Sequence, residues 1–142
     1  MPSSPLLSLT RPLRTKKAEE VARELYGIFM EWGPPRVLQS DGGSEFVNRV
    51  VKEICKLAKV DFKVSTPYYK HSTGSIERLN GTVSASLKKM LEGAMSQWDT
   101  MLPLCTHFYN TTVRSLTKSS PYAIMFAHQC NNVKEHAGNE EE

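Results

Sequence analysis

The chain contains no apolar run approaching the roughly 18 residues that a membrane-spanning helix requires. Its first 17 residues, rich in Arg, Lys and Pro, do not read as a secretory leader. A soluble, intracellular protein is therefore expected. Cysteine is scarce: Cys55, Cys105 and Cys130 are odd in number and share no short spacing, which argues against a disulfide framework and against a CxxC metal knuckle. His71, His107, His128 and His136 stand at no paired-ligand spacing with those cysteines, which argues against zinc. Asn80-Gly81-Thr82 and Asn110-Thr111-Thr112 match the glycosylation triplet, read here as chance matches in an intracellular chain. Internal repeats are absent, and so is any aspartate before Asp41.

What remains is 142 residues, 39% hydrophobic and 23% charged, enough for one globular domain with a modest core. The net charge is +3, but Glu135, Glu140, Glu141 and Glu142 fall in the last eight residues, so residues 1–134 carry +7. A basic body is compatible with a polyanionic partner, and equally with plain solubility.

Hydrophobic periodicity orders the chain. Residues 1–14, with three prolines and the fragment "LLSLT", allow a short strand or a disordered arm but no helix. From Lys16 to Trp32, Ala18, Val21, Ala22, Leu25, Ile28, Phe29 and Trp32 form one helical stripe, with Glu19 and Glu20 in its first turn and Gly33-Pro34-Pro35 as its stop. Arg36 to Ser40 reads as a buried strand, Ser44 to Lys59 as a second helix, and "VDFKVST" at 60–66 as a second strand. A polar loop over 67–74 precedes a long helix marked by Ile76, Leu79, Val83, Leu87, Met90, Leu91 and Ala94. Ser96-Gln97-Trp98-Asp99 reads as a variant capping box for a fourth helix with Trp98, Met101, Leu102, Cys105, Phe108 and Tyr109 on one face. "SPYAIMF" at 120–126 adds a short helix, and the acidic tail from Asn131 is expected to be disordered. Strands alternating with helices predict an α/β domain with helices packed on a sheet of only two or three strands.

Asp41 ends a predicted strand and Glu77 lies about one turn into the long helix. Brought together, the two carboxylates would suit a hard divalent cation, which needs oxygen ligands and room for water and phosphate. Thirty-five residues separate them, a spacing that chance alone supplies among 15 acids. Their context is more telling. "WGPPRVLQSDGGSEF" and "TPYYKHSTGSIERLNGTV" resemble the integrase catalytic core of retroviruses and gypsy-type retrotransposons. The family's Gly-Pro, Asp and Gly-x-Glu-Phe match Gly33-Pro34, Asp41 and Gly43-Ser44-Glu45-Phe46; its Thr-Pro-Tyr, Gly and Glu-Arg-x-Asn match Thr66-Pro67-Tyr68, Gly74 and Glu77-Arg78-Leu79-Asn80. With "RPLRTKKAEEVARELYGIFMEWG" and "TKSSPYAIMF", the resemblance runs to about Ala127.

The resemblance implies an RNase H-like fold in which three carboxylates hold two Mg²⁺ or Mn²⁺ ions for DNA 3′ processing and strand transfer. It makes Asp41 the second carboxylate and Glu77 the third, and it implies a DNA partner, a nuclear location and a homodimer surface on the first and fourth helices. The family's first aspartate has no counterpart, so the chain is expected to lack the first two strands of the fold, with a partial core over 15–127 and a tail over 128–142. A metal site short of one bridging carboxylate loses about one negative charge and a shared ligand, and should be weakened or lost. An unpaired edge is also expected on the strand that ends at Asp41. Small hydroxyls at Thr73 and Ser75, and Gly81 and Ser84 at positions where the family is basic, leave Thr73, Arg78, Lys88 and Lys89 as candidate nucleic-acid contacts, against a merely solvated face. Three readings follow: a retroelement integrase core inactive alone, a host-adopted core serving as a non-catalytic DNA-binding or protein-interaction module, or an Asp-Gly turn and a first-turn Glu with no metal.

Overall fold

A computed structural model describes residues 7–65, 70–91 and 97–131. Its elements run α1 (Ala18–Trp32), β1 (Val37–Ser40), α2 (Arg49–Leu57), β2 (Asp61–Val64), α3 (Lys70–Leu91), α4 (Trp98–Thr111) and α5 (Pro121–Phe126). The chain divides into two compact units, one of residues 11–73 and one of residues 1–10 with 74–142.

In the first unit a βαβ crossover forms around α2, and β1 pairs with β2 in parallel, Leu38 opposite Phe62 and Ser40 opposite Val64. One face of this ribbon is covered. Leu38 and Phe62 pack on a core of Val21, Ala22, Phe29, Val51, Cys55 and Val60, to which Leu13, Leu25, Phe46, Ile54 and Ala58 add their sides. Val37 and Gln39 are exposed, so β1 is half-buried and not the buried strand its short apolar run implied. Two-residue alternation decides this: with helices on one side only, every second residue of the strand is exposed.

Two boundaries depart from the sequence reading for identifiable reasons. Helix α1 starts at Ala18 because Glu20, read as a first-turn acid, reaches back to accept the backbone N–H groups of Arg14 and Thr15, each at 2.9 Å, and the Thr15 hydroxyl. Helix α2 starts at Arg49, five residues later than periodicity suggested. Asn48 takes the N-cap, with φ −140° and ψ 169°, its Oδ1 accepting the Val51 N–H at 3.0 Å, while residues 43–47 close into a turn on the Gly43 carbonyl. Gly33 ends α1 at φ 83° and ψ 148°, a conformation essentially confined to glycine.

In the second unit Val83 of α3 packs against Leu102 and Cys105 of α4, flanked by Leu79, Leu87, Met90 and Trp98. Helix α3 begins at Lys70, inside the segment expected to be a polar loop. Gly74 and its Ser and Thr neighbours lower helix propensity by up to about 1 kcal/mol each without forbidding the helix, and the packed stripe downstream carries it backward. Ser96 lies outside the described residues, and the N-cap of α4 is Gln97, which makes no side-chain capping bond. Pro103 sits inside α4 and removes one ladder donor. The inward face of α4 is Leu102, Cys105, Thr106 and Asn110, whereas Phe108, expected inside, is 54% exposed. Helix α5 is capped at both ends, by Ser120, whose hydroxyl accepts the Ala123 N–H at 3.1 Å, and by Ala127 at φ 60°. Residues 7–10 form no strand: the Ser8 N–H and carbonyl bond to the Asn110 side chain of α4. The tail over 132–142 lies outside the described residues.

Candidate functional site

Asp41 leaves the end of β1 exposed to solvent. Its Oδ1 accepts the Gly43 N–H at 3.1 Å, closing an Asx turn, and its carbonyl accepts the Ser40 hydroxyl at 2.9 Å. Oδ1 is thereby committed to the turn. The following loop is held from the other side by Asn48, whose Nδ2 donates to the Glu45 carbonyl at 2.7 Å and to the Ser44 carbonyl at 3.1 Å. Asn48 thus caps α2 and anchors the loop behind Asp41 with one side chain.

Gly43 has a steric role in that loop. A Cβ placed on it would stand 2.7 Å from Glu45 Oε2 and 3.1 Å from Asp41 Oδ1. The two carboxylates therefore lean over the same glycine, their oxygens no farther apart than those two distances laid end to end. Sequence reasoning gave Glu45 no site role. The Gly-x-Glu-Phe match was the available signal, since a carboxylate two residues after a glycine can fold back over it only where no side chain intervenes.

Glu77 belongs to the other unit, where α3 presents it to solvent. Starting from Lys70 it lies two turns into the helix, not one, so the charge–dipole benefit of a first-turn acid does not reach it. Arg78, Lys88 and Lys89 are exposed on the same helix. Eleven residues make three turns to within about 20°. Glu77 and Lys88 therefore share one stripe, and Arg78 and Lys89 the adjacent one. The Thr73 side chain lies outside the described residues. Among the described residues no three His, Cys, Asp or Glu side chains converge on a point that a metal ion could take.

No helix among the described residues is long and apolar enough to cross a membrane. No protein-family model matches the chain. Its fold is that of solved retroviral integrase cores, which makes it RNase H-like. The bovine immunodeficiency virus integrase catalytic core aligns over 90% of this chain and 79% of its own, with TM-score 0.69 and 20% identity. The HTLV-2 integrase catalytic core, solved in complex with magnesium, aligns over 78% and 70%, with TM-score 0.64 and 18% identity. A simian T-cell lymphotropic virus intasome, solved with the PP2A regulatory subunit B56 gamma, aligns over 84% and 44%, with TM-score 0.72 and 17% identity.

The curated relatives are Pol polyproteins. That of transposon 412 from Drosophila melanogaster is 26% identical over 124 residues, 87% of this chain. The Pro-Pol polyprotein of feline foamy virus is 30% identical over 86% of the chain, and the Pol polyprotein of radiation murine leukemia virus (strain Kaplan) 33% identical over 81%. The chain spans 10% of the length of each of the first two and 20% of the third. The chain is thus related in sequence to the Pol polyproteins of retroviruses and of a transposon, and shares its fold with solved integrase catalytic cores.

Proposed function

We propose that this chain is a DNA-associated integrase core module, of gypsy-type retroelement descent and acting in the nucleus, that carries out no strand transfer on its own. The observation that carries this reading is the strand-end carboxylate. By motif Asp41 matches the family's second metal ligand, with Glu45 over Gly43 beside it and no third acidic or histidine ligand gathered among the described residues. Glu77 is the family's third ligand by motif. A cation held by so few fixed oxygens relies on water and phosphate for the rest of its shell, and binds weakly. Titration with Mn²⁺ followed by calorimetry is expected to show no uptake at micromolar concentration. Micromolar binding that disappears in Asp41→Asn refutes the proposal, as does DNA joining by the purified chain in Mg²⁺ or Mn²⁺.

For the DNA partner, the support is the basic body and the exposed Arg78, Lys88 and Lys89 of α3. If these three meet phosphates, replacing all of them by Ala flattens the salt dependence of duplex binding by about 0.9 in log–log slope per lost contact. A second reading, a protein-interaction or homodimer surface on α1 and α4, is favoured by exposed apolar pairs one turn apart on each helix: Tyr26 with Met30, and Leu104 with Phe108. Analytical ultracentrifugation tests it. A dimer that Met30→Glu and Phe108→Glu each dissociate supports it, and a monomer at all concentrations refutes it.

A further inference from the structure

Helix α4 turns two polar residues inward, Thr106 (8% exposed) and Asn110 (9% exposed), where its helical stripe calls for apolar ones. Both are taken up by the same short segment. The Ser8 N–H donates to Asn110 Oδ1 at 2.9 Å, and Asn110 Nδ2 donates to the Ser8 carbonyl at 2.7 Å. One turn earlier Thr106 Oγ1 bonds the Leu102 carbonyl at 3.0 Å and meets Thr10 Oγ1 at 2.6 Å.

The Asn110 amide thus exchanges both backbone bonds with one residue, as two facing residues do in an antiparallel β-ladder. It reads the peptide backbone, not the side chain, of what lies on it. The spacing repeats as well. Two residues of extended chain advance about 6.6 Å. Four residues of helix advance about 6 Å. Ser8 and Thr10 can therefore meet Asn110 and Thr106 in register, with the segment running antiparallel to α4. After Thr10, residues 12–17 have no helix or strand, and Pro12, Arg14, Thr15, Lys16 and Lys17 are exposed.

We propose that α4 carries a docking site for one extended chain segment, that Asn110 and Thr106 are its recognising groups, and that it is filled in cis by residues 7–10 and in trans by the same segment of a second copy. The cis contact occludes the site. Exchange between copies requires the stretch after Thr10 to straighten, which releases the Arg14 and Thr15 N–H bonds to Glu20 and the Arg11 pairs with Glu24 and Glu31, and it yields a swapped dimer. The inference does not depend on metal or DNA binding.

Hydrogen exchange on the full chain tests the cis contact, because Asn110 Oδ1 accepts the Ser8 amide. It is expected to be protected at least tenfold over an unstructured amide, and to lose that protection in Asn110→Ala. In Asn110→Asp the acceptor for Ser8 N–H survives but the donor to the Ser8 carbonyl becomes a carboxylate. Protection is then lost at pH 7 and returns as the carboxyl protonates, at a pH raised above its ordinary value because burial and the facing Ser8 carbonyl both disfavour the charge. An unprotected Ser8 amide in the parent chain, or protection that survives Asn110→Ala, overturns the proposal.

The trans site is read by fluorescence anisotropy with a labelled peptide of residues 1–14. In the full-length Ser8→Pro chain the resident segment lacks its donor, and the peptide is expected to bind saturably, at least tenfold more tightly than to the parent chain. Adding Asn110→Ala abolishes that binding. No binding to Ser8→Pro, or equal binding with Asn110→Ala, overturns the exchange.

Discussion

Asn48 gives the most exacting test of how the candidate site is held. Its side chain makes three bonds: Oδ1 accepts the Val51 N–H at 3.0 Å, and Nδ2 donates to the Ser44 and Glu45 carbonyls at 3.1 and 2.7 Å. Loss of an N-cap acceptor costs about 0.5–2 kcal/mol. Each neutral bond from Nδ2 adds roughly 0.5–1.5 kcal/mol, toward the low end where the carbonyl can turn to water. These terms overlap, because one side chain supplies all three, so Asn48→Ala is expected to cost about 2 kcal/mol. Asn48→Asp keeps the cap acceptor and loses only the donors, and should cost about half as much. Urea unfolding followed by circular dichroism, with an unchanged denaturant slope, measures both. The two variants also part locally. Phe46 and Val47 donate to the Gly43 carbonyl within the loop behind Asp41. Their amides should exchange faster in both variants, since both release the loop. A cost for Asn48→Ala below about 0.5 kcal/mol, or equal costs for the two substitutions, refutes the shared role of cap and anchor.

Gly33→Ala forces a Cβ onto φ 83° and should destabilise by about 1–3 kcal/mol, read as a lower urea midpoint, although nothing crowds that position in space. The Thr15 hydroxyl, with the Arg14 and Thr15 N–H groups, holds the Glu20 carboxyl below the usual carboxylate range. Its contribution is therefore complete above the unfolded value of about 4.3 and lost as pH falls through the lower folded value. The stability gap between the parent chain and Glu20→Gln should accordingly shrink below about pH 4, and a gap independent of pH argues against the ionised box. Burial pushes the Cys55 thiol up. Ellman's reagent at neutral pH should label Cys130 first, with Cys55 and Cys105 reacting only on unfolding, and prompt labelling of all three contradicts the packing.

The α/β order was legible because each helix is long enough for its stripe to count. Val21, Ala22, Leu25 and Phe29 repeat at helical spacing, and the structure buries or half-buries all four. Boundaries were less legible, since side chains that act across several residues set them. Glu20 reaching back five to Thr15, and Asn48 claiming the cap from within a turn, leave no trace in hydrophobic periodicity. The start of α3 was missed for the opposite reason. Single-residue propensities argued for a loop over residues 70–74, while a helix already packed through Leu79, Val83 and Leu87 extends upstream at little cost per residue.

The candidate site shows the same division. Asp41 was legible because a strand end, a carboxylate and two glycines are local facts. Glu45 was not, because its place over Gly43 depends on a turn that Asn48 closes from beyond it. Thr106 and Asn110 were the least legible. A polar residue in phase with an apolar stripe is, in sequence alone, an irregularity of the stripe, and the expected inward residue was Phe108. Burying an amide without partners costs more than exposing a phenyl ring gains by turning inward. Asn110 can face inward only because a backbone about a hundred residues away in sequence satisfies both its oxygen and its nitrogen. The rotation of α4, with Phe108 outward and Asn110 inward, is therefore set by residues 7–10 as much as by the helix itself. The sequence "THFYN" becomes readable once that segment is known to lie across it.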